Sequence, residues 1–387
     1  MANASNAGSD WNAGSGYERL GVAPIINAAG SITRLGGSRT RPETLELMSR
    51  AAQVMVNIDD LNRAAGKELA RLTGAEAGFV CSGAAGGLVL QAAAVIAGSD
   101  PARMRQLPDT DGLRNEIVIH TMHRFPYDQA YRAAGARLVE FGDYLFAHPW
   151  QLEGAINERT AAVAYLVAPF SSNKVLPLER VCQIAHAHDV PVIVDAASML
   201  PPRANLYRYL RDGADMVVYS GGKGIRGPQG SGILVGRADL IEAAAAQANP
   251  AQFLGRGMKV AKEEVVGLVA SLAAFVEEDE AAEMDAYRAL VQPVVDALVE
   301  LPGLRVTLEH DSVNYLIPQA AIHFTDDWRG PSRDAVAAAL EQGNPQIHLQ
   351  QLAGPRELAV DPLNLTEEEV ETVIRRLREE LTRPPSP

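Results

Sequence analysis

Three groups of residues in the middle of the chain place chemically useful side chains at the ends of β-rich segments. Asp195 closes the apolar segment 191–195, and the β-rich segment 215–219 leads into Ser220-Gly-Gly-Lys-Gly224. Upstream, the short apolar segment 79–81 is followed by small residues, 82–87, that open a helical stretch. A carboxylate beside so apolar a strand needs a partner, glycines let a ligand approach the backbone closely, and the N–H groups of a helix N-terminus bind phosphate.

Together these groups favour pyridoxal 5′-phosphate (PLP) as a cofactor. Lys223 would form a Schiff base with the PLP aldehyde, and Asp195 would pair with the pyridinium nitrogen and keep it protonated. Each group alone has a commoner explanation: a solvated lysine, a helix N-cap or an ordinary turn. A P-loop is the competing interpretation of Gly222-Lys223, and it is excluded because Val217 and Gly224 stand where that motif needs glycine and Ser or Thr.

An α/β domain must position these residues. Short β-rich segments alternate with helical ones between about residues 60 and 250, and the strands are predicted at 116–121, 137–141, 162–168, 191–195, 215–219 and 231–236. Nearly continuous apolar strands separated by helices are typical of a parallel sheet buried on both faces. Such sheets bind ligands beyond the carboxyl ends of their strands, where Asp195 and Lys223 lie.

Before Gly255, helical patterns cover 42–55, 62–72, 84–97 and 127–134. After Gly255, a long helical region over 259–301 followed by mixed helical and β-rich segments predicts a second, smaller α+β domain. The last helix has a capping box, Thr366 with Glu369, and an apolar stripe at 370, 373, 374, 377 and 381. We expect a disordered tail over 1–16, an N-terminal segment over 17–60, a large domain over 61–254 and a small domain over 255–387.

The composition excludes several classes of protein. Among 387 residues, 48 Asp and Glu outweigh 35 Lys and Arg, for a net charge of −13, which argues against nucleic-acid binding. The start of the chain lacks the pattern of a signal peptide, and no apolar run is long enough for a membrane span. Two cysteines cannot form a disulfide framework, so we expect a cytoplasmic protein. No spacing of Cys, His or carboxylates predicts a metal site.

Several segments resemble fold-type I PLP enzymes: SGGKGIRGPQGSGILVG (220–236), VDAAS (194–198), FVCSGAAGG (79–87) and HRFPYDQAYRAAGARLVEFG (123–142). The chain is similar to the selenocysteine-synthase-like group of these enzymes. INAAGSITRLGGS (26–38) and LGRGMKVAKEEVVGL (254–268) fit the branch of that group that resembles D-glucosaminate-6-phosphate ammonia-lyase. The resemblance covers essentially the whole chain after residue 17, and it implies a mostly parallel seven-stranded sheet with a smaller C-terminal domain.

The resemblance also implies roles for individual residues. Lys223 would be the Schiff-base lysine, Asp195 the pyridinium partner and His123 the group lying against the face of the ring. The remaining cofactor contacts would come from Ser82, Gly83, Ala84, Ser198 and Ser220. Arg124, next to His123, favours a site at this sheet edge, because two groups that can be cationic need anions nearby. The substrate carboxylate would meet an arginine, for which the candidates are Arg34, Arg124, Arg226, Arg256 and Arg356.

The resemblance fixes the reaction less closely than the cofactor. We expect a PLP-dependent lyase that eliminates across Cα and Cβ of a small hydroxylated amino acid to give a 2-oxo acid and ammonia. Racemase, aldolase and aminotransferase activities use the same residues and stay open. Selenium transfer to seryl-tRNA is disfavoured by the acidic charge and by the expected absence of an extra N-terminal tRNA-binding domain. A non-catalytic PLP-binding regulator is also disfavoured, because we find no segment for a DNA-binding helix-turn-helix. A homodimer or higher even oligomer is expected, since active sites of this fold type form between two subunits.

Overall fold

The computed structural model describes residues 14–167, 174–311, 315–351 and 354–383. The strands are β1 (Ile25–Ala28), β2 (Ala77–Cys81), β3 (Glu116–His120), β4 (Arg137–Phe141), β5 (Thr160–Leu166), β6 (Val192–Asp195), β7 (Met216–Ser220), β8 (Gly232–Gly236), β9 (Leu304–Glu309), β10 (Gln319–Phe324), β11 (Gln346–Gln351) and β12 (Glu357–Val360). The helices are α1 (Pro42–Ala52), α2 (Ile58–Thr73), α3 (Gly83–Ala97), α4 (Pro101–Gln106), α5 (Gln129–Ala133), α6 (Pro149–Ala155), α7 (Leu178–His186), α8 (Asn205–Arg211), α9 (Ala238–Gln247), α10 (Lys262–Glu277), α11 (Glu280–Leu298), α12 (Arg333–Glu341) and α13 (Glu367–Leu381).

The chain divides into two compact units. The larger unit comprises Ser31–Met284 and His310–Ile317, and the smaller comprises Met1–Gly30, Asp285–Glu309 and Pro318–Pro387. The smaller unit thus draws on both ends of the chain, and residues 31–60 and α10 lie in the larger one. The domain bounds predicted from the sequence stay a prediction, and residues 1–13 of the predicted tail lie outside the described residues.

The larger unit is built on a sheet for which the described residues supply seven strands, in the order β2-β8-β7-β6-β5-β3-β4. Pairing is parallel from β7 to β4, and β8 runs antiparallel to both of its neighbours. Alternate residues of β6 point to opposite faces: Val192 and Val194 enter one apolar core and Ile193 the other. Both faces are therefore covered, and the predicted α/β fold with a mostly parallel sheet is confirmed.

The reversed strand β8 brings two important strand ends together. Gly232, at the start of β8, lies opposite both Cys81 at the end of β2 and Ser220 at the end of β7. Because β2, β7 and β6 run in the same direction, the loops that follow them emerge at one edge of the sheet. These are the loops that carry residues 82–87, Lys223 and Ala197–Ser198.

The smaller unit has a five-stranded sheet within the described residues, in the order β1-β11-β12-β10-β9. Strands β1 and β11 are parallel, and the other pairs are antiparallel. Helix α13 begins with the predicted capping box: the Glu369 N–H donates to Thr366 Oγ1 (3.3 Å), and the Thr366 N–H donates to Glu369 Oε2 (2.9 Å). The predicted α+β character of this part of the chain is confirmed.

The helical region predicted over 259–301 is two helices, because the chain turns at Glu278 between α10 and α11. The predicted helix 127–134 is a single 3-10 turn, Pro126–Asp128, followed by the short α5. Among the described residues, no helix combines the length and the hydropathy that crossing a bilayer requires.

Candidate active site

Asp195 lies at the carboxyl end of β6 in apolar surroundings, and its residue is 8% exposed. Its Oδ1 accepts a hydrogen bond from the Ala197 N–H (3.0 Å) in the turn that follows. Burial raises the pKa of Asp195, while that N–H and the positive charge of Lys223 act in the opposite direction. The side chain is therefore a buried acid whose ionised form needs a cationic partner.

Lys223 follows β7 in a loop whose backbone packs too closely for side chains at the neighbouring glycines. A Cβ on Gly222 would lie 2.6 Å from Gln229 Cα, and one on Gly224 would lie 2.1 Å from the Leu200 carbonyl oxygen. Ser38 Oγ contacts the carbonyl oxygens of Gly222 (3.0 Å) and Lys223 (2.7 Å), which fixes the loop from a distant part of the sequence.

The environment of Lys223 favours a reactive amine. Burial lowers the pKa of the ammonium group, and the charge of Asp195 opposes that shift. Strands β6 and β7 are parallel neighbours, with Asp195 paired to Val218, so the end of β6 and the loop that follows β7 bring the two groups to the same edge of the sheet. A lowered pKa increases the neutral fraction, which is the nucleophilic form of an amine.

The phosphate loop, defined as residues 82–87, forms the first turn of α3. Gly83 has a positive φ of +62°, which glycine adopts without strain, and the Ser82 side chain makes no capping hydrogen bond. The first N–H groups of a helix have no intrahelical partner, so this turn presents donors to an anion. Gly232 of β8 packs behind it: a Cβ there would lie 2.6 Å from the Gly83 carbonyl carbon.

His123 ends a 3-10 turn, Thr121–His123, that follows β3, and it is 3% exposed. The Leu166 N–H donates to Nδ1 (3.4 Å), which places the proton of the neutral ring on Nε2. The ring lies edge-on to Tyr165 at 4.6 Å between centroids. Burial, with a smaller effect from His120, lowers the pKa of His123 to about 3, so the ring is uncharged at neutral pH.

Arg124 is already paired with carboxylates of its own unit, so its positive charge is no evidence for an external anion. Its Nε donates to Asp128 Oδ2 (2.6 Å), and its Nη1 donates to Glu140. Because Asp128 is itself buried, this pair holds the guanidinium firmly. His123 is neutral and Arg124 pairs with carboxylates of its own unit, so neither group requires an anionic ligand.

The other predicted cofactor residues lie at the same sheet edge. Ser198 is half-buried in the turn after β6, and Ser220 is half-buried at the end of β7, where its N–H donates to the Ala197 carbonyl oxygen (3.4 Å). Ser82 and Ala84 are half-buried in the phosphate loop. The larger unit therefore brings together the ends of β2, β6 and β7 that the sequence singled out.

The four other arginine candidates differ from Arg124 in their surroundings. Arg34 and Arg256 are exposed, and Arg226, three residues after Lys223, donates from Nε to the Arg39 carbonyl oxygen (3.3 Å). Arg356 belongs to the smaller unit and pairs with Asp326, which is 91% exposed. A surface pair of this kind is weak and can exchange for another carboxylate.

Sequence reasoning did not identify three residues that shape this site. Ser38 anchors the lysine loop, Tyr165 packs against His123, and Tyr131 on α5 is 3% exposed beside Asp195 and His123. Ser38 lies inside segment 26–38, whose resemblance to the ammonia-lyase branch could have indicated a role. Tyr131 and Tyr165 lie in a helix and a strand, where an aromatic residue is usually part of the hydrophobic core.

The residues present fit PLP on structural grounds. A buried carboxylate suits a pyridinium nitrogen, the buried lysine suits an aldehyde, and the phosphate loop suits the phosphate. His123 Nε2 is buried without a hydrogen-bond partner among the described residues. Within the described ranges, no cluster of three or more His, Cys, Asp or Glu residues could hold a metal ion.

Comparison with known proteins gives a consistent result. The family model described as L-seryl-tRNA selenium transferase matches residues 25–300. The D-glucosaminate-6-phosphate ammonia lyase of Salmonella typhimurium is 35% identical over 94% of this chain and 97% of its own length. A 5′-C-glycyluridine monooxygenase-decarboxylase of a Streptomyces species is 34% identical over 94% of this chain and 91% of its own. A solved structure of D-glucosaminate-6-phosphate ammonia-lyase superposes with a TM-score of 0.84 at 34% identity, covering 95% of this chain and 98% of that one.

Proposed function

The chain belongs to the L-seryl-tRNA selenium transferase family of PLP-dependent enzymes, and from this premise we propose that it is a lyase that eliminates across Cα and Cβ of a hydroxylated amino acid. The products would be a 2-oxo acid and ammonia. The observation that supports the proposal most is the placement of buried Asp195 and of Lys223 at the ends of neighbouring strands, within a chain that matches an ammonia lyase almost end to end.

PLP, when bound, supplies an electron sink that makes the bonds at Cα of an attached amino acid labile. Asp195 would hold the pyridine nitrogen, with its Oδ1 fixed by the Ala197 N–H. The N–H groups of the phosphate loop would hold the phosphate, with Ser82, Ser198 and Ser220 at the same edge. The neutral ring of His123 would lie against the cofactor and position it without adding charge.

Lys223 would move the protons. Its amine takes the proton from Cα of the substrate, and the β-hydroxyl leaves as water once it has accepted a proton. The lowered pKa of Lys223 suits both roles, because a group whose pKa lies nearer the working pH can accept and return a proton. Ammonia is then released by hydrolysis as the 2-oxo acid forms.

The substrate class is a 2-amino-3-hydroxy acid. Racemisation, aldol cleavage and transamination are the alternatives, because they would use the same cofactor and the same residues. Selenium transfer to a tRNA is disfavoured by the net charge of −13. For the substrate carboxylate we propose one of Arg34, Arg226, Arg256 and Arg356, and we set Arg124 aside because buried Asp128 holds it.

We further propose a cytoplasmic homodimer or higher even oligomer. The acidic charge and the two buried free cysteines are consistent with a reducing compartment. Light scattering of the active protein tests the assembly: a dimer or larger even oligomer is expected, and full activity in a monomer would contradict it.

The test of the function is a substrate screen with D- and L-2-amino-3-hydroxy acids. Ammonia and 2-oxo acid should form in equal amounts, and Lys223→Ala should abolish both. Lys259→Ala is the matched control, because that lysine is exposed and its loss should leave the rate unchanged. Three results would refute the elimination. They are inversion of the configuration at Cα without release of ammonia (racemisation), release of an aldehyde (aldol cleavage), and turnover that requires an added 2-oxo acid (transamination).

A further inference from the structure

A small cavity of about 20 Å³ lies beside Asp195 in the larger unit, and it has room for about one water molecule. Its apolar wall includes Leu88, Ile119 and Ala164. The titratable side chains that line it are His123, Tyr127, Asp128, Tyr131, Tyr165 and Asp195. A water in a buried site needs two to four polar partners, and this lining supplies them.

Two of these groups have hydrogen-bonding capacity that the described residues leave unused. The Tyr131 hydroxyl has no hydrogen-bond partner among the described residues, although the residue is only 3% exposed. His123 Nε2 is likewise buried without a partner, and it carries a proton because Nδ1 accepts from the Leu166 N–H. Both groups are donors beside a buried carboxylate that, within the described part of the chain, accepts a hydrogen bond at Oδ1 from the Ala197 N–H and none at Oδ2.

The electrostatic environment keeps Tyr131 a donor. Burial raises the pKa of its phenol well above the ordinary value, and the charges of Asp195 and Asp128 raise it further. The hydroxyl is therefore protonated at any working pH. A protonated phenol that borders the same cavity as an ionised carboxylate favours that ionised form.

We propose that Tyr131 is a positioning residue for Asp195, acting through one water held in this cavity between the Tyr131 hydroxyl, His123 Nε2 and the Asp195 carboxylate. The water would keep Asp195 ionised and oriented in a setting where burial alone favours the neutral acid. This inference rests on the proposed function, because it assigns Asp195 to the pyridine nitrogen of PLP.

The test is Tyr131→Phe in the full-length protein, which removes one oxygen and keeps the ring. Titration of PLP-free protein with PLP should show about tenfold or greater loss of affinity, the effect of removing a hydrogen bond to a charged group. The acid limb of PLP affinity should move to higher pH, since Asp195 would protonate more readily. The other titratable groups near Asp195 or this cavity are Lys223, His123, Tyr127, Asp128 and Tyr165, and all five are unchanged in the variant.

Tyr209→Phe is the matched control. Tyr209 is 4% exposed, but it belongs to the core on the opposite face of the sheet from Tyr131. The control should bind PLP like the wild type. An unchanged affinity and pH profile in Tyr131→Phe would overturn the proposal.

A second measurement does not depend on the variant folding. A crystal structure of the wild type at high resolution should show one water within hydrogen-bond distance of Tyr131 Oη and an Asp195 oxygen, and a cavity without that water would overturn the proposal. Failure of the proposed function would look different, because the wild type would then bind PLP normally yet not eliminate, or would not bind PLP at all.

Discussion

Replacing Asp195 with asparagine should separate the contribution of this carboxylate to PLP affinity from its contribution to the stability of the fold. Asparagine keeps the shape of the side chain and an oxygen that can accept the Ala197 N–H, which now donates at 3.0 Å. The amide presents NH₂ where the carboxylate presented an oxygen. It therefore cannot favour a protonated pyridine nitrogen.

The magnitude follows from the loss of a charge-assisted hydrogen bond in a buried setting. Such bonds contribute about 1.5–3 kcal/mol, and about 1.4 kcal/mol corresponds to a factor of ten. PLP affinity should therefore fall by about ten- to a hundredfold in Asp195→Asn. Turnover should fall further, because an unprotonated ring is a poorer electron sink.

The stability of the PLP-free protein should move in the opposite direction. A folded-state pKa raised by burial means that the carboxyl contributes stability below its unfolded-state pKa and loses that contribution as the pH rises through the folded-state pKa. At neutral pH the buried negative charge of Asp195 lowers the free energy of unfolding, and the neutral asparagine avoids that loss. PLP-free Asp195→Asn should unfold at a temperature equal to or above that of the wild type, and any advantage should shrink as the pH falls.

The assay combines PLP titration with thermal unfolding of the PLP-free protein between about pH 4 and 8, a range that extends above the ordinary pKa of aspartate. Asp215→Asn is the control, since Asp215 is also 8% exposed but accepts from the Val192 N–H (2.7 Å) and pairs with Arg237 (2.9 Å). It should lose stability and keep PLP affinity. Unchanged PLP affinity in Asp195→Asn, or destabilisation like that of the control, would refute this reasoning.

Three further predictions concern the surroundings of the site. Gly232→Ala should weaken PLP binding about tenfold or more in a cofactor titration, because its Cβ would push into the phosphate loop; Gly154→Ala, with open space around its Cβ, should not. His123→Phe should weaken PLP binding about tenfold or more, because phenylalanine keeps a ring but removes the Nε2 donor to the water proposed beside Asp195, and an unchanged affinity would contradict that role. Neither cysteine should react with a thiol reagent at pH 8 before unfolding, since burial raises the pKa of Cys81 and of Cys182 to about 12, and labelling of the folded protein would contradict their burial.

The sequence predicted strands such as β3, β6, β7 and β8 of the larger unit well because their residues are buried nearly throughout, on both faces of the sheet. A run such as 191–195 can then be apolar throughout, and the polar residue that ends it becomes conspicuous. The lysine loop was equally visible, since its glycines are required by backbone contacts as close as 2.1 Å. Local rules therefore sufficed to place Asp195, Lys223 and residues 82–87 at one edge of the sheet, while their roles stay predictions.

The parts that escaped prediction depend on contacts between residues far apart in the sequence. The charge state of His123 follows from burial beside Tyr165, and the pairing of Arg124 follows from Asp128 and Glu140. Nothing in the order of residues 123–142 separates a cationic histidine from a neutral one. The smaller unit joins Ile25–Ala28 to Gln346–Gln351 by parallel pairing, a contact between the two ends of the chain that no local pattern predicts.

The most direct test of the central claim is to identify the lysine that carries the cofactor. The sequence has five lysines, at positions 67, 174, 223, 259 and 262, so a peptide map distinguishes all of them. The protein is incubated with PLP, reduced with borohydride to fix the cofactor to its lysine, digested and examined by mass spectrometry. The account predicts a pyridoxyl group on Lys223 in equal amount to the protein, and modification of another lysine, or of none, would contradict it.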